Sequence, residues 1–392
     1  MRMIVRALLS SVVGLATMGL AGCGHYTCGT TFGNATCMPS GGGLSQSGGG
    51  TGGTPAALDF FENAGSIDAA SVDTAGTFSL IPNFVSPPQT GSGAFGGMVI
   101  VQKQWLYLAY SSQIEAYSIN GAGALTAITG SPLVFSGTEA YSTATDPAGK
   151  FLFLAGANDA QVWVFAINQT NGSLTTVGSF STGFFAAEAT TDGLGKFLYV
   201  TAGNLGSEVA VFSIGSTGSL TPVNTLSISI AQLKGEPTGK FLFGITGNGA
   251  NNGFASDDNI YVYSINQSSG LITPVTGSPF ATTYTPSTLT VYPTGAFVYT
   301  FNQTVSVPSP TEGFQFNNAT GALSPLSSSP FTALTAPAGL FDQSGAYLFM
   351  HPGTTLTAAS VNTTTGALTS IGTPIAAAGN PVAGGFAVTD PH

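Results

Sequence analysis

Two charged residues stand where side chains could do chemistry, in a chain that has few charges. Charged residues make up 6% of the sequence. Aligning its repeated turns gives one equivalent position in six repeats, occupied by Ser142, Glu188, Gln232, Thr288, Ala338 and Phe386. Lys234 lies two residues after Gln232, on the same face of its strand. Glu188 and Lys234 could act as an acid–base pair, orient a ligand, or form an ion pair joining two repeats.

Histidine adds one further candidate. His25 precedes the repeats, His392 is the last residue, and His351 is the one histidine within them. A Ser-His-Asp triad would need His351, but no nucleophile-elbow motif supports such a triad. His351 is thus a weak catalytic candidate beside Glu188 and Lys234, and we expect it to end a strand before a turn.

One long loop carries oxygen ligands that could suit a metal ion. Asn251, Asn252, Asp257 and Asp258 all lie within it. Ca²⁺ prefers such ligands, but their spacing matches no known calcium loop. We therefore expect a solvated loop, no metal site and no cofactor.

The elements that position these residues are β-strands in a repeated unit, best seen in residues 146–174. Asp-Pro-Ala-Gly-Lys at 146–150 predicts a turn, because proline fixes one φ and glycine tolerates a positive one. The apolar runs 151–154 and 161–167 are rich in β-branched and aromatic residues, which is typical of strands. A second turn at 168–172 leads into the next strand.

The second turn recurs seven times and counts the repeats. Its glycines are 45 to 52 residues apart, at Gly76, Gly123, Gly172, Gly218, Gly270, Gly321 and Gly366. A period of roughly 40–50 residues with several strands per unit is typical of propeller blades. The sequence therefore predicts an all-β protein with seven four-stranded blades.

The two ends of the repeat region predict how the ring closes. The first turn of the unit begins again at Asp390-Pro391, whereas strands lacking an inner partner follow Ala57. We expect the C-terminal segment 385–389 to form the inner strand of the blade whose outer three strands are N-terminal. Strand 385–389 would then pair beside 57–61, so that no sheet edge is left open between the first and last blades.

The N-terminal region reads as a targeting signal and a tether. Residues 1–22 carry Arg2, Arg6 and a short apolar core, which predicts a signal peptide. Leu20-Ala-Gly-Cys23 resembles the bacterial lipoprotein cleavage box, and the resemblance implies that Cys23 is lipidated. The Gly/Ser-rich segment 23–54 predicts a flexible tether before the propeller at 55–392. Cys28 and Cys37 within it are expected to form a disulfide, with metal binding that includes His25 as the alternative.

Composition argues against nucleic acid as a partner, and the N-terminal sequence favours a membrane. The formal net charge is −10, and no arginine follows Arg6, so a row of nucleic-acid phosphates could not be neutralised. Polar surface comes from serine, threonine and asparagine. We expect a monomer held at the bacterial cell envelope, outside the cytoplasm, by its N-terminal lipid.

The repeat resembles the lactonase-type seven-bladed propellers, which include 6-phosphogluconolactonases and carboxymuconate cyclases. The motifs that carry this resemblance are Asp-Pro-x-Gly-Lys-Phe-Leu-Phe and Val-x-Val-Phe-x-Ile-Asn, and it extends over residues 55–392. It implies a lactone-handling cleft at the channel mouth. Such enzymes are expected to hold anionic substrates with arginine and histidine, but no arginine follows Arg6 and His351 is the one histidine within the repeats, so no functional residue is carried over.

Three functions follow as hypotheses. The first is a lipid-anchored binding module for an envelope glycan, a neutral ligand or a protein, with Ser142, Glu188, Gln232 and Thr288 at the channel mouth. The second is a hydrolase of a non-phosphorylated lactone, with Glu188 as general base. The third is a structural surface protein. Convergence of Glu188, Lys234 and His351 in a deep pocket would favour the enzyme.

Overall fold

The computed structural model shows an all-β molecule. It describes residues 26–31, 34–39, 53–63, 66–91, 95–137, 140–156, 159–203, 207–247, 257–303, 308–352, 355–376 and 385–391. Within these ranges no helix has the length and apolar character needed to span a bilayer. Seven sheets, each built on four antiparallel strands, form a ring, which confirms the predicted seven-bladed propeller.

The strands are numbered along the chain and grouped by blade, each blade being given from its innermost strand outward. The N-terminal hairpin precedes the blades and consists of Tyr26–Thr31 (β1) and Asn34–Pro39 (β2). The first three blades comprise Phe386–Thr389 (β33), Pro55–Asn63 (β3), Ser66–Asp73 (β4) and Phe78–Leu80 (β5); Phe95–Val101 (β6), Trp105–Tyr110 (β7), Gln113–Ile119 (β8) and Leu125–Ala127 (β9), with Leu133–Val134 (β10) beside β8; and Ala140–Thr145 (β11), Phe151–Gly156 (β12), Gln161–Ile167 (β13) and Leu174–Ser181 (β14).

The remaining four blades follow the same order. They comprise Ala186–Thr191 (β15), Phe197–Ala202 (β16), Glu208–Ile214 (β17) and Leu220–Ser227 (β18); Gln232–Gly235 (β19), Phe241–Ile245 (β20), Asn259–Ile265 (β21) and Ile272–Pro274 (β22), with Phe280–Ala281 (β23) beside β21; Pro286–Val291 (β24), Phe297–Gln303 (β25), Pro308–Asn317 (β26) and Ala322–Pro325 (β27), with Phe331–Thr335 (β28) beside β26; and Gly339–Phe341 (β29), Tyr347–Met350 (β30), Thr355–Val361 (β31) and Leu368–Ala376 (β32).

Ring closure occurs as predicted, in blade 1. The C-terminal strand β33 pairs antiparallel with β3, from Leu58 opposite Thr389 to Phe61 opposite Phe386. The inner strand of blade 1 therefore comes from one end of the repeat region and its other three strands come from the opposite end.

The seven repeat glycines explain the regular second turns. Each has a φ between 71° and 85°, in the left-handed region that only glycine adopts without a steric penalty. The asparagine that opens the turn also supplies a hydrogen bond, as where Asn168 Oδ1 accepts the amide of Thr170 at 2.9 Å.

The acid of the first turn caps its own loop. Asp146 Oδ1 accepts the backbone amides of Lys150 at 2.7 Å and Phe151 at 2.6 Å. Asp192 makes the same two bonds with Lys196 and Phe197, at 2.7 Å each. The turn thus uses the lysine through its backbone amide, so the recurrence of lysine there does not by itself imply catalysis.

The core fills the interfaces between blades. Second strands such as β12 and β16 are buried along their whole length, since both sheet faces pack on a neighbour. Between blades 3 and 4, for example, Phe153 and Val164 pack with Leu198 and Phe212.

Three buried tyrosines, in blades 2, 4 and 6, each join their own blade to the following one. Their phenols donate to backbone carbonyls of repeat glycines in the following blade, at 2.7 to 2.8 Å: Tyr107 to Gly172, Tyr199 to Gly270 and Tyr299 to Gly366. Burial raises the pKa of each phenol, so each keeps its proton and remains a donor.

The segment predicted as a tether contains the hairpin β1–β2. Its register sets Cys28 directly opposite Cys37. Strand β1 also makes one parallel bridge to the inner strand β6, with Gly29 opposite Phe95. The domain boundaries at residues 22 and 54 remain predictions.

Candidate functional site

The seven inner strands line the central channel and carry only two charged residues. These strands are β6, β11, β15, β19, β24, β29 and β33. Their sequences contain Glu188 on β15 and Lys234 on β19, and otherwise only neutral residues. Serine and threonine supply most of the remaining polar groups.

Glu188 and Lys234 form an ion pair between blades 4 and 5. Lys234 Nζ lies 2.6 Å from Glu188 Oε1, and the two side chains are 35% and 13% exposed. Gln232 Nε2 donates to the same oxygen at 3.3 Å. The structure therefore brings together the two charges that the sequence had singled out, and the pair is partly accessible to solvent.

Neighbours at the aligned position use their side chains to join blades. Ser142 Oγ accepts the amide of Ala189 in the next blade at 3.0 Å. Thr288 Oγ1 donates to the carbonyl of Pro337 at 2.7 Å. The two apolar members of the alignment, Ala338 and Phe386, are buried in the core. These four residues have a structural role in holding blades together.

Glu188 differs from these neighbours in what it contacts. Its bonds are to two side chains, both at Oε1, and no residue in the described part of the chain donates to Oε2. The Glu188 side chain is 13% exposed, and Oε2 is not fully buried. A carboxylate oxygen in contact with solvent can bind a ligand or accept a proton, and the adjacent Lys234 ammonium group still has donors that are unpaired among the described residues.

Two aromatic residues lie close in sequence to members of the aligned position. Tyr141 immediately precedes Ser142, and Phe185 lies three residues before Glu188. Their centroids are 5.4 Å apart in an edge-to-face arrangement, and both rings are partly exposed. They give the start of β11 and β15 an apolar surface.

His351 lies elsewhere, between blades 7 and 1. It is 1% exposed, its Nε2 is 3.0 Å from Asp59 Oδ2, and its ring stacks on Phe386 at 3.9 Å. Because Glu188 and Lys234 belong to blades 4 and 5, the three catalytic candidates do not converge. His351 follows the end of β30, as expected of a strand-end residue.

Two buried carboxylates escaped the sequence interpretation. Glu115 Oε1 accepts the amides of Thr90 and Gly91 at 2.6 and 2.8 Å, and Glu312 accepts those of Thr283 and Tyr284 at 2.9 and 3.1 Å. Both glutamates anchor the loop that enters their blade. A signal was present, because Glu115 and Glu312 each lie three residues before the triplet that opens the second turn.

The loop acids considered for Ca²⁺ are engaged by hydroxyl groups. Asp257 accepts from Thr246 at 3.0 Å and from Tyr261 at 2.6 Å, and Asp258 accepts from Thr285 at 2.5 Å. Asn251 and Asn252 lie outside the described residues. Among the residues that are described, no group of three histidine, cysteine or acidic side chains could hold a metal ion.

Comparisons with protein families and solved structures agree with the propeller fold. Residues 183–337 match the family model described as lactonase, 7-bladed beta-propeller. That segment includes Glu188, Gln232, Lys234 and Thr288. No curated protein matches the chain.

Solved structures share the fold at low identity. A candidate 6-phosphogluconolactonase from Bacteroides uniformis has a TM-score of 0.66 and 14% identity, over 86% of this chain and 99% of that one. Another from Bacteroides fragilis has a TM-score of 0.64 and 15% identity, over 87% and 99%. The periplasmic gluconolactonase of Pseudomonas aeruginosa has a TM-score of 0.63 and 14% identity, over 83% and 98%. The chain is therefore a seven-bladed β-propeller, and its residues 183–337 are similar to the lactonase family of such propellers.

Proposed function

We propose that this protein is a lipid-anchored, extracytoplasmic propeller that binds a neutral, hydroxyl-rich ligand, such as an envelope glycan, at the mouth of its channel. The observation that carries the proposal is the Glu188–Lys234 pair in an otherwise uncharged set of inner strands. Paired charges offer directional hydrogen bonds to a ligand without a net charge that would select an ion.

The rest of the channel wall has matching chemistry. Strands β11 and β24 present partly exposed serine and threonine side chains, among them Thr143 and Ser287. Hydroxyl groups both donate and accept, which suits a saccharide. The apolar edge formed by Tyr141 and Phe185 could pack against the carbon-bearing face of a sugar ring.

The proposed location rests on the N-terminal sequence. Residues 1–22 resemble a signal peptide, and Cys23 occupies the position that is lipidated in bacterial lipoproteins. The relative from Pseudomonas aeruginosa is itself periplasmic. A lipid at Cys23 would hold the propeller at the membrane surface.

A binding screen tests the proposed ligand class. Purified protein would be titrated calorimetrically with cellobiose, maltose, chitobiose and glucose 6-phosphate. We expect binding of a neutral saccharide that is weakened by Glu188→Gln and by Lys234→Met, but not by the matched control Lys150→Met on a turn. Failure of every neutral saccharide to bind, or an unchanged affinity in both site variants, would reject the proposal.

A second candidate function is hydrolysis of a non-phosphorylated lactone. The match of residues 183–337 to the lactonase family favours it. Glu188 would take a proton from a water that adds to the lactone carbonyl, and Lys234 would stabilise the resulting oxyanion. The ring C–O bond would then break, the ring oxygen would take up the proton, and a hydroxy acid would be released. Titration of acid released from glucono-1,5-lactone, above the spontaneous rate and lost in Glu188→Gln, would support this function.

A further inference from the structure

Gln232 connects three blades through the two ends of one amide group. Its Nε2 donates to Glu188 Oε1 in blade 4 at 3.3 Å. Its Oε1 accepts the backbone amide of Leu289 in blade 6 at 2.6 Å. Because Leu289 is 2% exposed and belongs to the core, the amide of Gln232 is fixed at one end by the scaffold.

Both donors to Glu188 reach the same oxygen. Lys234 Nζ and Gln232 Nε2 both bind Oε1, so the carboxylate is held from one side. Oε2 keeps its lone pairs, and two of the three N–H groups of Lys234 have no partner among the described residues. An acceptor and a donor therefore stand side by side on neighbouring inner strands.

This arrangement fits two adjacent hydroxyl groups of one ligand. One hydroxyl would donate to Glu188 Oε2, while its neighbour would accept from Lys234 Nζ. Charge-assisted hydrogen bonds of this kind are shorter and about twice as strong as neutral ones. We propose that Gln232 is a positioning residue that, together with Lys234, fixes Glu188 so that Oε2 and Nζ recognise a vicinal diol.

This inference rests on the proposed function and adds its chemical specificity. The equivalent residues Ser142 and Thr288 join blades through hydrogen bonds to backbone groups and not to the Glu188 side chain, so they serve as natural controls for a purely structural role. If Gln232 only joined blades, its loss would affect stability as the loss of Thr288 Oγ1 does, and it would weaken all ligands equally.

The test compares Gln232→Met with Thr288→Val in the full chain. The ligands are the saccharides that bind in the screen above, each paired with an analogue in which one hydroxyl of the diol is methylated. Gln232→Met should weaken diol binding by about tenfold, the effect of one hydrogen bond to a charged group. It should leave the methylated analogue unaffected, whereas Thr288→Val should change neither affinity.

A double-mutant cycle provides the second readout. In a Glu188→Gln background, Gln232→Met should cause no further loss, since the group it positions has been altered. Additive losses, or equal losses for diol and analogue, would overturn the inference while leaving saccharide binding intact. Absence of any saccharide binding by the wild type would instead overturn the proposed function.

A fallback variant covers a folding defect. If Gln232→Met does not fold, Gln232→Glu retains an acceptor for the Leu289 amide, removes the donor to Glu188 and adds a negative charge that repels the Glu188 carboxylate. Loss of diol discrimination in that variant, with an unchanged melting temperature, would support the inference. Retained discrimination would reject it.

Discussion

His351 and Asp59 are 292 residues apart in sequence, yet they form a buried pair between the last blade and the first. Their side chains are each 1% exposed, and Nε2 lies 3.0 Å from Oδ2. The other polar atom of each side chain, Nδ1 and Oδ1, has no hydrogen-bond partner in the described part of the chain. Within the described part of the chain, each of these two buried side chains therefore makes one hydrogen bond, which is the one to the other.

Removing the histidine should destabilise the protein strongly. His351→Leu would leave the buried carboxylate of Asp59 without its partner, and loss of one member of such a pair typically costs about 3–5 kcal/mol. Urea unfolding measures this loss. The double variant Asp59→Leu/His351→Leu should recover most of the stability, because both polar groups are then gone. A single variant as stable as the wild type would show that the pair contributes nothing.

Removing the closing strand should weaken the whole ring. Deletion of residues 380–392 eliminates β33 and exposes the edge of β3 along the register from Leu58 to Phe61. We expect the melting temperature to fall by at least about 10 °C. Deletion of residues 391–392 alone keeps β33 and is the control. An unchanged melting temperature after the longer deletion would refute closure by strand pairing.

Stability should fall as pH rises through the range in which Asp342 ionises. Burial, reinforced by the carboxylate of Asp390, raises the pKa of Asp342 to about 6, from an ordinary value of 3.8. The folded state therefore binds this proton more tightly than the unfolded state, and the contribution, at most roughly 3 kcal/mol, is lost between pH 4 and pH 6. Unfolding free energies at pH 5 and pH 7 should differ less in Asp342→Asn than in the wild type. Identical differences would contradict this assignment.

Asp390 should have the opposite effect at lower pH. Burial acts to raise its pKa, but the hydrogen bond from Lys103 and the amide of Ser344 lower the pKa of Asp390 below 3.8. Its contribution is present above that value and is lost as the pH falls through the lowered pKa. Lys103→Met should therefore reduce stability at pH 5, where the ion pair of the wild type is formed.

Lipid anchoring predicts a clear change in fractionation. Cys23→Ser should release the protein from membranes or block its processing, because the thiol that would carry the lipid is gone. Immunoblots of membrane and soluble fractions measure the distribution, with Cys28→Ser as the control. Identical fractionation of wild type and Cys23→Ser would show that Cys23 is not the anchor.

Phosphorylated sugar lactones should be poor substrates. A phosphate dianion usually requires bidentate arginine or clustered lysine, and the one lysine on the inner strands, Lys234, is already paired with Glu188. Hydrolysis of 6-phosphogluconolactone should therefore not exceed that of the unphosphorylated lactone. A clear preference for the phosphorylated substrate, abolished in Lys234→Ala, would overturn this expectation.

The sequence was sufficient for the fold because one backbone constraint repeats. Gly76 and Gly366 stand at opposite ends of the repeat region with similar positive φ angles of 80° and 71°, so glycine spacing counted the blades directly. Pairing of Glu188 with Lys234 was also predictable, since aligned turns place both residues on neighbouring inner strands. Such alignment gives position along a strand but not which of several partners a side chain selects.

Contacts between distant repeats were not predictable for that reason. Asp59 and His351 belong to different repeats, and nothing in either local sequence indicates the other. For Glu115 the position before the second turn was recognisable, but its partners, the amides 24 and 25 residues earlier, lie in a loop with no recognisable motif. These contacts depend on how blades pack, which a period alone does not specify.

The tyrosine bonds between blades have a consequence for the symmetry of the ring. The same strand position carries tyrosine in blades 2, 4 and 6 and phenylalanine in blades 3, 5 and 7, in the order Tyr107, Phe153, Tyr199, Phe243, Tyr299 and Phe349. The true period is thus two blades. Seven is odd, so an alternation of this kind cannot close on itself, and one blade must break the pattern. The exception is blade 1, where the equivalent residue is Asp59, opposite Val388. The blade in which the alternation of tyrosine and phenylalanine breaks is therefore the blade whose Asp59 forms the buried pair with His351.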